Sequence, residues 1–226
     1  MKLKVLCVAA VEDRENCDKQ IMKQTVQPDR TIYLIDDKPA KGIEARRKRI
    51  AANQRKLQDV VRAYQHECNV VWQIEQDGDL PEDCLEQLMK DYLKLYASVG
   101  NDLGYVSGIE VGRHGLYCLG AWRNIKSDSF ESLNHNLEGI QEVEATGLYC
   151  LLAPVEVFIS GYPVWHDEPY GPDVVWGKSI NKRIFVDMDI RVGHITPRGT
   201  IRPEHISTTT VKFYKQDNGA WNYKEI

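Results

Sequence analysis

Residues 4–37, KVLCVAAVEDRENCDKQIMKQTVQPDRTIYLIDD, contain the pattern that decides the fold. The short apolar run 4–10 predicts a buried strand, and a helix is then expected to continue to about Val26 before Pro28 stops it. A second β-rich run, 31–35, ends in two aspartates. Two strands joined through a helix at this spacing predict a parallel βαβ unit with a right-handed crossover.

The alternation of strands and helices continues to about residue 100. Residues 43–64 have a helical apolar period, and residues 70–75 form a third predicted strand. A turn at residues 77–79 (DGD) follows, and Pro81 is expected to open the next helix, where its missing N–H costs nothing. This order of elements predicts an α/β protein with a mainly parallel sheet.

The second half of the chain has a weaker pattern. Strands are expected at 105–111, 116–122 and 183–186, and a short helix at 173–181. Residues 124–146 have no clear period, so we expect a flexible excursion there. The segment 193–194 is expected to lie in a loop.

Composition narrows the class of protein. The 226 residues are 42% hydrophobic and 27% charged, which is typical of one globular domain and excludes a mainly disordered chain. The net charge of −4 argues against attachment to nucleic acid or membrane by overall charge. No apolar run predicts a signal peptide or a membrane span. Six cysteines without a C-x-x-C pair indicate free buried thiols, so we expect a cytoplasmic protein.

Asp77 and Asp79 form the sharpest candidate site. Two carboxylates separated by one glycine, between a predicted strand and a helix, can bind one hard cation such as Mg²⁺ or Mn²⁺. The carboxyl ends of parallel strands are also where open α/β sheets bind ligands. The alternative is a simple Asp-Gly turn in which Asp79 caps the next helix.

Three further positions can contribute to a site. His194 can be a third metal ligand through a neutral imidazole, or an ordinary histidine. Asp173, in the segment GPD, can be a general base or the N-cap of a helix. Asp36 and Asp37 can accept hydrogen bonds from a nucleobase or ribose, or only shape the turn before Pro39.

Taken in this order, the motifs resemble glycosyltransferase family 2, whose members have the GT-A nucleotide-sugar fold. The matching stretches are IMKQTVQPDRTIYLIDD (21–37), the DxD-type motif 77–79 and GPDVVWGKSINKRIFVDMDIRVGHI (171–195). The resemblance spans residues 3–194. It implies a Rossmann-like mixed sheet in one domain, with a nucleotide-binding half (1–100), an acceptor and catalytic half (101–195) and a C-terminal extension (196–226).

The resemblance also implies roles for individual residues. Asp36 and Asp37 would lie near the base and ribose of a nucleotide sugar, with a UDP-sugar favoured. A Mn²⁺ or Mg²⁺ ion would bridge the diphosphate, held by Asp77, by Asp79 as the direct ligand, and by His194. Asp173 matches the catalytic base of inverting relatives.

Two departures from the family pattern leave alternatives open. The family's base motif usually has two consecutive acids, whereas Pro172 precedes Asp173 here, and retaining relatives would use Asp173 only to contact the sugar. The loop after the first strand reads AAVEDR (9–14) instead of the family's proline and Asn-Arg.

Charge is unevenly distributed along the chain. Residues 41–56 carry a net +6 and residues 178–202 a net +4, which leaves −14 for the rest. Arg46, Arg49 and Lys56 can meet a diphosphate or a polyanionic acceptor, or they can form a solvated helix face. Small proteins resembling this one are frequent in phage genomes, so DNA with hydroxymethylated bases is an expected acceptor, alongside a saccharide or a protein hydroxyl.

Two other functions fit the same motifs. A nucleotide-sugar-binding module would keep the fold without turnover. A nucleotidyltransferase would also use carboxylates and Mg²⁺ on an α/β sheet, but it normally needs a Gly-rich basic loop where this chain has EDR (12–14).

Overall fold

The computed structural model describes residues 2–36, 42–111, 118–161, 171–206 and 210–226. The first half contains β1 (Val5–Val11), α1 (Glu15–Met22), β2 (Arg30–Ile35), α2 (Ile43–Tyr64), β3 (Val70–Ile74), β4 (Gly78–Asp79) and α3 (Cys84–Val99). The next part contains β5 (Leu103–Ile109), β6 (Ala121–Arg123), β7 (Ser129–Ser132), β8 (Ile140–Val143), β9 (Ala145–Thr146), β10 (Cys150–Pro154) and α4 (Val155–Ser160). The last part contains α5 (Pro172–Ser179), β11 (Arg183–Arg191), β12 (Gly193–Thr196), β13 (Gly199–Ile201), β14 (Val211–Lys215) and β15 (Trp221–Glu225).

Seven strands form the main sheet in the order β2-β1-β3-β10-β5-β11-β8. β1 pairs in parallel with β2 and β3, and β5 pairs in parallel with β11. β10 lies antiparallel between β3 and β5, and β8 is antiparallel to β11. Five of the seven strands therefore run in one direction, which confirms the predicted mixed, mainly parallel α/β sheet.

Helices cover both faces of this sheet because its central strands are apolar on both sides. On one face, Trp72 of β3 packs in a buried cluster with residues of α1 and α3, including Leu85 and Leu88. On the other, Val71 joins Leu57 of α2 and Trp176 of α5. Neighbouring residues of β3 thus contribute to opposite cores, as the alternation of side chains along a strand requires.

Residues 124–146 do not form the expected flexible excursion, because they contribute three short strands. β8 is the edge strand of the main sheet, whereas β7 and β9 belong to a second sheet of order β15-β14-β7-β6-β9. Phe130 and Phe213 stack there with ring centroids 4.6 Å apart. Strands of two to four residues have too few apolar side chains to show a period, so their distant partners determine them.

The predicted end of the first helix and the predicted loop at 193–194 are wrong for tertiary reasons. α1 ends at Met22 and not near Val26. The side chain of Gln24 instead bonds across the start of α3, donating to the Pro81 oxygen before the helix at 2.8 Å and accepting from the Leu85 N–H in its first turn at 3.0 Å. The segment that contains His194 is strand β12, not a loop.

All six cysteines are free, and only Cys68 is not fully buried. Within the described part of the chain, no helix has the length and apolar character needed to cross a membrane.

Candidate functional site

A polar cleft of about 180 Å³ opens at the carboxyl ends of β1, β2 and β3, next to α2. Its rim includes Glu12, Asp36 and Asp77, each of which follows the carboxyl end of one strand. This is the position at which open α/β sheets bind ligands. The sequence-based expectation placed Asp36, Arg46 and Asp77 in such a site, and all three line the cleft.

Asp36 is buried and held by two side chains of α2. Its Oδ2 accepts hydrogen bonds from Arg49 Nε at 2.6 Å and from Asn53 Nδ2 at 2.5 Å. Arg49 also donates to Glu12 Oε1 at 2.9 Å. Arg49 therefore holds Asp36 in place, and its charge is used by these two carboxylates rather than offered to a diphosphate. Asp37, the other predicted nucleoside contact, lies outside the described residues.

Of the two arginines of α2 that line the cleft, Arg46 is the one that does not pair with Asp36. It is exposed at the rim of the cleft and forms no ion pair with any described residue. Its neighbour Lys48 pairs with Glu44 at 2.5 Å, and Lys56 is exposed and is not among the residues that line the cleft.

The backbone brings the DxD-type segment (77–79) next to the distant segment that contains His194, as the resemblance implied. β4 pairs antiparallel with β12, so Gly78 lies opposite His194 and Asp79 opposite Gly193. The Ile195 N–H donates to the Asp77 carbonyl at 2.7 Å, which extends the same ladder.

The side chains of Asp79 and His194 nevertheless leave opposite faces of this ribbon. Directly opposed residues share a face and successive residues alternate, so His194 shares the face of Gly78 and Asp79 that of Gly193. The Asp79 carboxylate pairs with Lys23 at 3.1 Å and with Arg202. His194 Nδ1 lies 2.5 Å from Glu110 Oε1, and both side chains are buried.

Glu110 was not singled out from the sequence, since it is a lone acid in an apolar stretch. Burial, followed by the charge of Glu75, raises the pKa of Glu110 well above its ordinary value. A buried carboxyl group needs a hydrogen-bond partner, and the imidazole of His194 provides one for Glu110.

The residues expected to hold a divalent cation do not form a converged set in this arrangement. Carboxylate oxygens are suitable ligands for Mg²⁺ or Mn²⁺, and Glu75 and Asp77 both line the cleft. The Asp79 carboxylate, however, pairs with two cationic side chains, and His194 faces Glu110. Across the described residues, no three His, Cys, Asp or Glu side chains are grouped as a metal site requires.

Asp173 is the second residue of α5, and Gly171 is the N-cap, so Asp173 is not the N-cap itself. Its carboxylate folds back toward Gly171 at the start of the helix. A Cβ on Gly171 would lie 2.3 Å from Asp173 Oδ1, so this arrangement needs glycine there. Burial raises the pKa of Asp173 to about 6, although the nearby backbone N–H groups of Asp173 and Val174 and the charge of Arg47 oppose the shift.

Sequence reasoning also missed the floor of the cleft, where Gln54 of α2 and Gln73 of β3 face each other. The signal was present in the sequence: Gln73 interrupts the apolar run VVWQI, and Gln54 lies one turn before Leu57 on the buried side of α2. A polar residue in a buried strand needs a partner, and the partner is recognisable only once the fold is known.

No protein-family model matches this chain, and no curated protein matches its sequence. Among solved structures, it is similar to the crystal structure of A197 from STIV, a viral protein. The identity is 11% and the TM-score 0.55, over 99% of this chain and 95% of that chain. It is also similar to apo UDP-glucose pyrophosphorylase, at 11% identity and a TM-score of 0.36, over 81% of this chain and 72% of that chain. At such identity, the likeness to the viral protein is one of fold over nearly the whole chain.

Proposed function

We propose that this protein is a glycosyltransferase that moves a sugar from a nucleotide-diphosphate sugar to an acceptor hydroxyl. The observation that carries the proposal is the polar cleft at the carboxyl ends of β1 to β3, with the β4–β12 ladder beside it. The motifs that resemble family 2 follow the same order along the chain. A UDP-sugar is the favoured donor, on the resemblance alone.

The residues of the cleft have distinct roles in this proposal. Asp36, fixed by Arg49 and Asn53, contacts the nucleoside. Arg46 balances the negative charge of the diphosphate, which grows as the nucleoside diphosphate departs.

Asp173 is the proposed general base. A carboxylate with a pKa of about 6 is ionised at neutral pH and is more basic than an ordinary aspartate. It would take the proton of the acceptor hydroxyl while the hydroxyl oxygen bonds to the anomeric carbon. The bond between that carbon and the diphosphate oxygen breaks, and its electron pair leaves with the nucleoside diphosphate. If the enzyme instead retains anomeric configuration, Asp173 only contacts the sugar.

The divalent cation remains part of the proposal, with Asp77 as the ligand that the cleft supports best. Asp77 lines the cleft, whereas Asp79 and His194 do not line it and lie on opposite faces of the ribbon. Bound Mn²⁺ or Mg²⁺ would supply positive charge to the diphosphate.

The acceptor is a hydroxyl of a saccharide, of a protein or of a hydroxymethylated base in DNA. The DNA alternative depends on the two basic segments, which are partly neutralised: Arg49 pairs with Asp36 and Arg183 with Glu142. If DNA is the acceptor, its binding should weaken steeply with salt through counterion release. Reversing the charge of Lys56, which is exposed and does not line the cleft, should then lower transfer to DNA but not to a neutral saccharide.

Incubation with a panel of nucleotide sugars, with Mn²⁺ or with EDTA, tests the proposal. Release of nucleoside diphosphate that depends on Asp173 supports a glycosyltransferase. Release of pyrophosphate would instead indicate a nucleotidyltransferase, and tight binding without turnover would indicate a binding module. Asp217→Asn, in an exposed turn, is the matched control for Asp173→Asn.

A further inference from the structure

Gln54 and Gln73 form a buried amide pair at the floor of the cleft. Nε2 of Gln54, on α2, donates to Oε1 of Gln73, on β3, at 2.9 Å. The residues are 2% and 5% exposed, and both line the cleft. Leu57 and Leu148 lie beside them, so the pair is set in an apolar floor.

Two of the four polar side-chain atoms of this pair have no protein partner among the described residues. An amide side chain offers one carbonyl oxygen and two N–H groups. Within the described parts of the chain, Oε1 of Gln54 and Nε2 of Gln73 bond to no protein atom. They differ from the indole nitrogens of Trp72 and Trp176, which are sealed from solvent without a partner. Since both residues are buried and line the cleft, these two amide atoms are available to a ligand in the cleft.

The chemistry of the opening does not depend on how the amides are oriented. If both side chains were flipped, Gln73 would donate to Gln54, and the free atoms would be the nitrogen of Gln54 and the oxygen of Gln73. Either arrangement presents one donor and one acceptor to the cleft. The pair is uncharged, so it suits a neutral group more than a phosphate.

We infer that Gln54 and Gln73 are a binding subsite for a neutral ligand group with adjacent hydrogen-bond donor and acceptor atoms. Within a nucleotide sugar, the Watson–Crick edge of the base and the neighbouring hydroxyls of the sugar have this chemistry. The inference rests on the proposed function for the class of ligand and adds the residues that read it. The position of the pair favours the base over the sugar. Asn53, which holds the proposed nucleoside contact Asp36, directly precedes Gln54 in α2.

Equilibrium binding tests the subsite without requiring transfer. The probes are UMP, which carries the base, and glucose 1-phosphate, which carries the hexose. The variant is Gln54→Met with Gln73→Met, which keeps side-chain length and removes both amides together. Gln58→Met is the matched control, since Gln58 is equally buried on α2 but donates to the carbonyls of Phe158 and Gly161, which do not line the cleft. Thermal unfolding of each variant confirms that the measured protein is folded.

We expect the double variant to bind UMP about tenfold to a hundredfold more weakly than wild type, since two buried hydrogen bonds are lost. Gln58→Met should bind UMP as wild type does. A loss confined to glucose 1-phosphate would support the subsite with sugar hydroxyls as its ligand. Unchanged affinity for both probes, or a wild-type protein that binds neither, would overturn the inference. Weakened binding without any glycosyl transfer would leave the subsite standing and reject the proposed enzyme instead.

Discussion

Asp79 belongs to a DxD-type motif that suggests a metal ligand, but its carboxylate pairs with two basic side chains. Its carboxylate lies between Lys23 of the segment after α1 and Arg202, which follows β13. This contact joins three distant parts of the chain. Asp77, two residues earlier, lines the cleft instead.

Asp79→Asn should therefore affect stability more than metal binding. We expect the free energy of unfolding to fall by about 1 kcal/mol, because the ion pairs are only partly buried. The affinity for Mn²⁺, measured by the electron paramagnetic resonance signal of the free ion, should stay unchanged. Asp77→Asn should weaken Mn²⁺ binding at least tenfold. A comparable loss in Asp79→Asn would restore Asp79 as the direct metal ligand.

Asp173 gives a prediction about the pH dependence of activity. A general base must be deprotonated, so kcat/KM should rise with pH through about 6, where burial has placed the pKa of Asp173. Asp173→Asn should lower kcat/KM at least a hundredfold and abolish this limb of the profile. The measurement is nucleoside diphosphate release between pH 5 and 8. Substantial activity with the same acidic limb in Asp173→Asn would exclude the role of base.

Packing between α3 and β11 brings two carboxyl groups into contact. Burial, a hydrogen bond with Asp187 and the charges of Asp187 and Asp189 together raise the pKa of Asp91 to about 7, against the attraction of Lys94. The Asp91 carboxyl group therefore holds a proton more tightly in the folded chain than in the unfolded chain.

This pair should make stability decrease as the pH rises. An unfolded aspartate has a pKa of about 3.9, so the folded state binds the proton more tightly between about pH 4 and 7. The resulting stabilisation is complete below pH 4 and is lost as pH rises through 7. Asp91→Asn should flatten the pH dependence of urea unfolding in this range, whereas Glu82→Gln, on the exposed segment before α3, should not. An unchanged slope in Asp91→Asn would contradict the raised pKa of Asp91.

The ribbon of β4, β12 and β13 is packed closely at Gly193. An added Cβ would lie 2.7 Å from Thr200 Cγ2 and 3.2 Å from Asp79 Cβ. Gly193→Ala should therefore cost about 1–3 kcal/mol of unfolding free energy through overpacking. Thr200→Ser removes the nearest methyl group, so the double variant should recover part of this loss in urea unfolding. No recovery would mean that Asp79 or the backbone, and not Thr200, limits the space.

At the scale of the whole molecule, the first half was the predictable part. α2 spans the predicted residues 43–64, and β3 differs from its prediction only by its last residue. Long apolar periods are local properties, and so they can be seen without a structure. The second half depends on short strands with remote partners: β10 enters the main sheet antiparallel between β3 and β5, at a position no local pattern specified.

The candidate site, like the fold, was predictable only in part. Sequence order indicated that Asp36 and Asp77 would lie at one end of a sheet, because carboxyl ends of parallel strands share an edge. It did not reveal Gln54, Gln73 or Glu110, since each has a partner that is distant in sequence.

By itself, the sequence determined the α/β class, the βαβ start and the edge at which the polar residues gather, because apolar periodicity and chain direction are local. Only the tertiary structure decided which charged groups pair. The register of β4 against β12 sends Asp79 and His194 to opposite faces, and Arg49 of α2 fixes Asp36. A side chain's direction in a strand depends on its register with a partner strand, and that register exists only in the folded chain.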